Sequence, residues 1–180
     1  MSFDLAQRGR VFDIRGALTT IPDGRTWGRC ALAYLIFLAA AIPLGLVTGL
    51  LHPSAPAIPA MQVLTTALVL FVHPAFVEEF IFRVLFLPRN ASTVPRARLV
   101  ALVAVSLTLY VASHPLNAVL FRPQARAVFE SPAYLALATL LGATCTTAYF
   151  LSRSIWPSVV IHWLTVVVWL FALGGQARLC

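Results

Sequence analysis

Three stretches of this chain carry no charged residue: Leu99–Phe121, Ser131–Ser152 and Ser154–Ala177. Between Arg29 and Arg83 the only charges are Glu78 and Glu79. Uncharged apolar runs of roughly 18 residues or more are long enough to cross a bilayer as helices. No water is available there for backbone N–H and C=O groups, so such runs must satisfy their hydrogen bonds internally, as helices do. Composition agrees. Hydrophobic residues make up 60% of the chain and charged residues 11%, against about 25% charged in soluble domains, and the mean hydropathy is +0.88. The fold expected is all-α, a polytopic transmembrane helical bundle of about five spans.

The spans read as Cys30 to Leu51, bent near Pro43 and Gly45; Met61 to Leu87, with a kink at His73-Pro74; Pro95 to His114-Pro115; Ala133 to Leu151; and Ile155 to Leu173. The second is roughly 40 Å long at 1.5 Å per residue, so it must tilt, kink or protrude. Five arginines precede the first span, none lies in 52–60, and three lie in 88–98. This asymmetry predicts a cytoplasmic N-terminus. Residues 1–29 form an N-terminal arm and 30–180 the transmembrane domain. Phe3, Leu5, Val11, Phe12 and Ile14 give the arm the makings of an interfacial face. The arm lacks the apolar core of a signal peptide, so the first span reads as an uncleaved anchor.

The net charge of +7 comes from arginine alone. The arginines punctuate apolar runs, as topology signals and phospholipid contacts do, and form no nucleic-acid groove. With its many alanines, this bias suits a GC-rich bacterial genome and a location in the plasma (inner) membrane. Cys30, Cys145 and Cys180 show neither C-x-x-C nor zinc spacing and read as structural thiols.

Ionisable groups inside a bilayer are expensive and therefore functional candidates. Glu79 and Arg83 are four residues apart and share a helix face, as an ion pair would. Glu78 points about 100° away. One carboxylate is thus held by a guanidinium while the other is free to handle protons. The pair sits roughly 13 Å from the end of its span by helical rise. His162, nine residues past Arg153, falls at a similar depth, whereas His114, sixteen past Arg98, lies roughly 10 Å further across. His73 reads as a buried imidazole at a kink, and His52 as an interfacial residue.

Pro74-Ala75-Phe76-Val77-Glu78-Glu79-Phe80-Ile81-Phe82-Arg83 resembles the E-E-x-x-x-R motif of the CPBP family. These are glutamic intramembrane proteases that include the type II CAAX prenyl endopeptidases. Tyr110 to His114 is similar to the family's F-x-x-x-H motif, and Arg153 to His162 is similar to its late-span segment. Order and spacing agree from about residue 61 to 170. The resemblance implies that Glu78 and His114 activate a water, Glu79 and Arg83 orient the site, and His162 helps hold an oxyanion. No metal or other cofactor is required. The substrate implied is a membrane-anchored protein or peptide, met within the lipid bilayer. One position departs: the family's H-x-x-x-N ends here in Val166, which cannot donate a hydrogen bond. Thr165, Trp163 and Asn117 are candidate substitutes.

Three rival readings remain at this stage. A zinc peptidase could use Glu and His ligands, although H-E-x-x-H is missing. A non-catalytic binding or bacteriocin-immunity protein would tolerate Val166. A proton-coupled transporter would need the repeat halves that this chain lacks.

Overall fold

The computed structural model describes residues 12–55 and 58–179, and every regular element among them is helical. In chain order these are α1 (Ile14–Thr19), α2 (Gly24–Val47), α3 (Ala60–Leu85), α4 (Arg96–Leu120), α5 (Arg126–Phe129), α6 (Pro132–Ser152), α7 (Trp156–Ala172) and α8 (Gly175–Leu179). Four of them, α2, α3, α4 and α6, are long and apolar enough to cross a membrane, and α7 is a shorter apolar helix. At 1.5 Å per residue, α7 is about 26 Å long. The fold is therefore the expected all-α polytopic bundle. Phe3, Leu5 and Val11 of the anticipated interfacial face lie outside the described residues. Phe12 and Ile14 are exposed.

Several boundaries follow from local chemistry. The Asp23 carboxylate accepts from the Thr26 amide at 2.8 Å and caps α2, covering one of the donors that a helix start leaves bare. Helix α2 runs through Pro43 to Val47 without interruption. In α3 the kink falls where proline predicts it. His73 leaves helical geometry (φ −134°, ψ 117°) and Pro74 follows, because the ring disfavours a helical residue before it. His73 is exposed rather than buried, so the imidazole expected inside the bundle is outside it. Helix α4 starts directly after Pro95 but runs through Pro115 to Leu120, past the end foreseen at His114. Arg153 caps α6 in the left-handed conformation (φ 52°), and α7 begins with Pro157 in its first turn, where a missing N–H costs nothing.

Packing runs through small residues, as it must where lipid offers apolar side chains little reason to associate. Cys30, Phe37 and Ala41 of α2 meet Leu141, Cys145 and Ala148 of α6. The opposite face of α2 exposes Leu32, Leu35, Ile36, Ile42 and Leu46. On the other side of the bundle, α1 is bound across the ends of the long helices. Ala17 is fully buried with Val84, Leu87, Tyr149, Ile155 and Val159. The Ile155 amide donates to the Ala17 carbonyl at 3.1 Å, and the Trp156 indole to that of Leu18 at 2.9 Å. Arg89 completes the fastening, donating to Asp13 at 2.8 Å, to Thr20 at 2.5 Å and to the Arg153 carbonyl at 2.9 Å.

Candidate active site

The Glu78-Glu79 pair lies between two irregular stretches of α3, the break at His73 and a wide, π-helical winding over Phe80–Leu85. Such windings recur at functional sites because they re-aim side chains and free backbone groups. Here the Phe82 carbonyl takes a hydrogen bond from buried Ser106 of α4.

Glu79 and Arg83 are both fully buried. Their contact is an ion pair, with Arg83 Nε 3.2 Å from Glu79 Oε2. A buried guanidinium needs further partners. Arg83 finds one in the Gly142 carbonyl, to which Nη2 donates at 3.2 Å, and another in the Tyr110 ring, whose centroid is 4.9 Å from its Cζ. The second oxygen of Glu79 reaches α7, where His162 Nδ1 stands 3.0 Å from Oε1. A carboxylate can only accept, so Nδ1 carries the proton and donates. The other ring nitrogen of His162, Nε2, is 3.9 Å from Glu78 Oε2. Glu78 keeps about a fifth of its side chain accessible, 21% against 0% for Glu79. Adjacent carboxylates thus occupy different environments.

His114 joins the cluster despite the depth mismatch anticipated from helical rise. Its Nδ1 donates to the Tyr110 carbonyl at 3.0 Å, which leaves Nε2 without the proton in the neutral ring. Its ring packs edge-on to Tyr110 at 5.0 Å, and Tyr110 packs edge-on to His162 at 6.0 Å. Tyr110 is therefore the plate between both histidines and the arginine. Gly142 lets it sit there. A Cβ on Gly142 would be 2.8 Å from the Tyr110 ring and 2.7 Å from Leu107, closer than a side chain can approach.

A cavity of about 100 Å³ runs from Tyr110, His114 and His162 along α2, α6 and α7 towards Leu51 and Leu173. Val166 and Thr165 line it. Of the three substitutes for the missing asparagine, Trp163 is committed elsewhere, its indole donating to the Ala67 carbonyl at 2.7 Å. Thr165 donates to the Ile161 carbonyl at 2.8 Å. Asn117 stands one turn past His114 with its Oδ1 buried and without a partner among the described residues. Sequence reasoning did not single out Gly142, Tyr134 or Trp169. Tyr134 packs against His114 at 5.4 Å and against Trp169 at 5.7 Å. Only its place on the face of a span could have flagged it. Among the described residues, no three of His, Cys, Asp and Glu are grouped as a metal-binding set.

The five residues drawn from three separate motifs converge from α3, α4 and α7 on one buried cluster in an integral membrane protein. A family model described as type II CAAX prenyl endopeptidase Rce1-like matches residues 59–168, which includes all of them. Searches of curated proteins and of solved structures return no match. The matched segment is more than half of the chain, and the chain belongs to the Rce1-like family of type II CAAX prenyl endopeptidases, which are membrane-embedded proteases.

Proposed function

We propose that the protein is an intramembrane endopeptidase in which Glu78 activates a water against a peptide carbonyl of a membrane-anchored protein or peptide. The observation that carries this reading is the division of labour between neighbouring carboxylates. Glu79 is spent on Arg83 and His162. Glu78 faces Nε2 of His162 and remains partly accessible.

In this scheme Glu78 and His114 hold the water, and Glu78 takes its proton as the oxygen adds to the carbonyl carbon. A protonated His162 donates from Nε2 to the resulting oxyanion while Nδ1 stays on Glu79, so the donor is fixed before charge develops. The tetrahedral intermediate then collapses: the C–N bond breaks and the proton on Glu78 goes to the leaving amine. Glu79 and Arg83 act by holding His162 and the cluster in register. No step calls on a metal. Residues 30–180 supply the catalytic domain and 1–29 a cytoplasmic arm, in a bacterial plasma membrane with the N-terminus inside.

Cleavage of a membrane peptide library in ¹⁸O-labelled water tests this. The reading requires one label in the new C-terminal carboxylate. Val166 supports a second reading, since it leaves the cavity wall one turn after His162 without a donor: a family member that binds a membrane peptide or confers immunity without cutting. A folded, monodisperse protein that binds library peptides but releases no product would favour that alternative.

A further inference from the structure

The cavity beside the cluster is lined almost wholly by apolar groups, yet one buried polar atom on its wall has no partner among the described residues. Trp169 lines the cavity, and its indole Nε1 is buried with no hydrogen-bond acceptor among the described residues. Buried indole N–H groups usually find an acceptor. The ring is held in place. Tyr134 packs on it with centroids 5.7 Å apart, and the backbone of α8 closes behind it, where a Cβ on Gly175 would be 2.8 Å from the indole. The donor is therefore presented by a rigid ring.

Its position relative to the cluster is fixed by the helix. Trp169 follows His162 by seven residues, two turns, and so shares its face about 10 Å further along the axis. An extended peptide covers about 3.3–3.6 Å per residue, so that distance corresponds to about three residues of substrate. A helical substrate offers no mid-helix carbonyl that is not already bonded once within the helix. An extended one does.

We propose that Trp169 is a substrate-binding residue whose indole N–H donates to a backbone carbonyl of an extended peptide segment, about three residues from the bond presented to Glu78. The assignment rests on the protease reading above. It makes the preferred substrate a membrane segment unwound over those residues, such as one interrupted by glycine or proline. It also gives the chain a substrate-holding donor on the same helix face as His162, where Val166 offers none.

Steady-state cleavage of one peptide substrate separates the possibilities. Trp169→Phe keeps an aromatic but smaller ring and removes the donor, and it should raise KM by about tenfold, the size of one net hydrogen bond, with kcat little changed. A peptide whose carbonyl three residues from the cleaved bond is replaced by a methylene should show the same rise with the wild-type protein, and no additional rise with Trp169→Phe. The peptide arm needs no mutation, so it decides the matter even where the variant folds poorly. Wild-type cleavage with KM unmoved by the methylene at any of the residues two to four from the cleaved bond overturns the assignment of Trp169 and leaves the protease reading standing. No cleavage by the folded wild type overturns both.

Discussion

Nδ1 of His162 donates to Oε1 of Glu79 across 3.0 Å, with both side chains out of solvent. This bond joins the second long helix to the last apolar one and sets which nitrogen of His162 faces Glu78. It also explains why the E-E pair is asymmetric. One glutamate is a structural anion between a guanidinium and an imidazole, and the other is left for chemistry.

Removing that anion should be costly. In Glu79→Ala the Arg83 guanidinium stays fully buried without its counter-charge, and breaking such a pair costs about 3–5 kcal/mol. Thermal unfolding in detergent should show a large drop. The double variant Glu79→Ala/Arg83→Met should recover much of it, because no charge is then stranded. A double variant less stable than Glu79→Ala would contradict the ion-pair account.

Gly142 makes a second, sharper test. Gly142→Ala places a methyl within 2.8 Å of the Tyr110 ring, and overpacking of this kind costs about 1–3 kcal/mol. Tyr110 cannot yield without moving against Arg83 and both histidines. Cleavage should fall well beyond what the loss of folded protein explains, measured as activity per folded molecule.

The fastening of α1 is predicted to depend on Arg89 more than on Asp13. Asp13→Asn weakens the partly exposed pair with Arg89, worth about 1 kcal/mol or less. Arg89→Ala removes three bonds, to Asp13, Thr20 and the Arg153 carbonyl. Trypsin cleavage at Arg15 in detergent should be faster in Arg89→Ala than in Asp13→Asn, and slowest in the wild type.

At the start of α2, the hydrogen bonds from Thr26 hold the Asp23 carboxyl below the usual aspartate range. A folded-state pKa depressed in this way adds stability above the unfolded value, which is lost as pH falls through the folded one. Amide exchange at Thr26 and Trp27 should lose protection in that acidic window. An Asp23→Ser variant, which keeps a capping oxygen without the titrating group, should not show the loss.

Much of this architecture is legible in the chain because lipid enforces it. Charge-free runs long enough to span can only be helices, and the ionisable residues left inside them stand out. Spacing alone pairs Glu79 with Arg83, and proline chemistry places the kink at His73-Pro74. What spacing could not give is the set of contacts between helices. Counting rise puts His114 roughly 10 Å further across, yet it shares the Tyr110 plate with His162. Pro115 gave a false end to α4, since in a span neighbouring helices make good the bond that proline removes. Gly142 and Trp169 carry no signal in a single sequence. Their importance comes from what faces them across the bundle.

The most direct test of the central claim is proteolysis of a membrane peptide by the purified protein in detergent, set beside Glu78→Gln and repeated with a strong chelator. Glu78→Gln keeps the shape of the side chain and loses the base. The account predicts cleavage by the wild type that survives chelation and disappears in the variant. Undiminished cleavage by Glu78→Gln would contradict it.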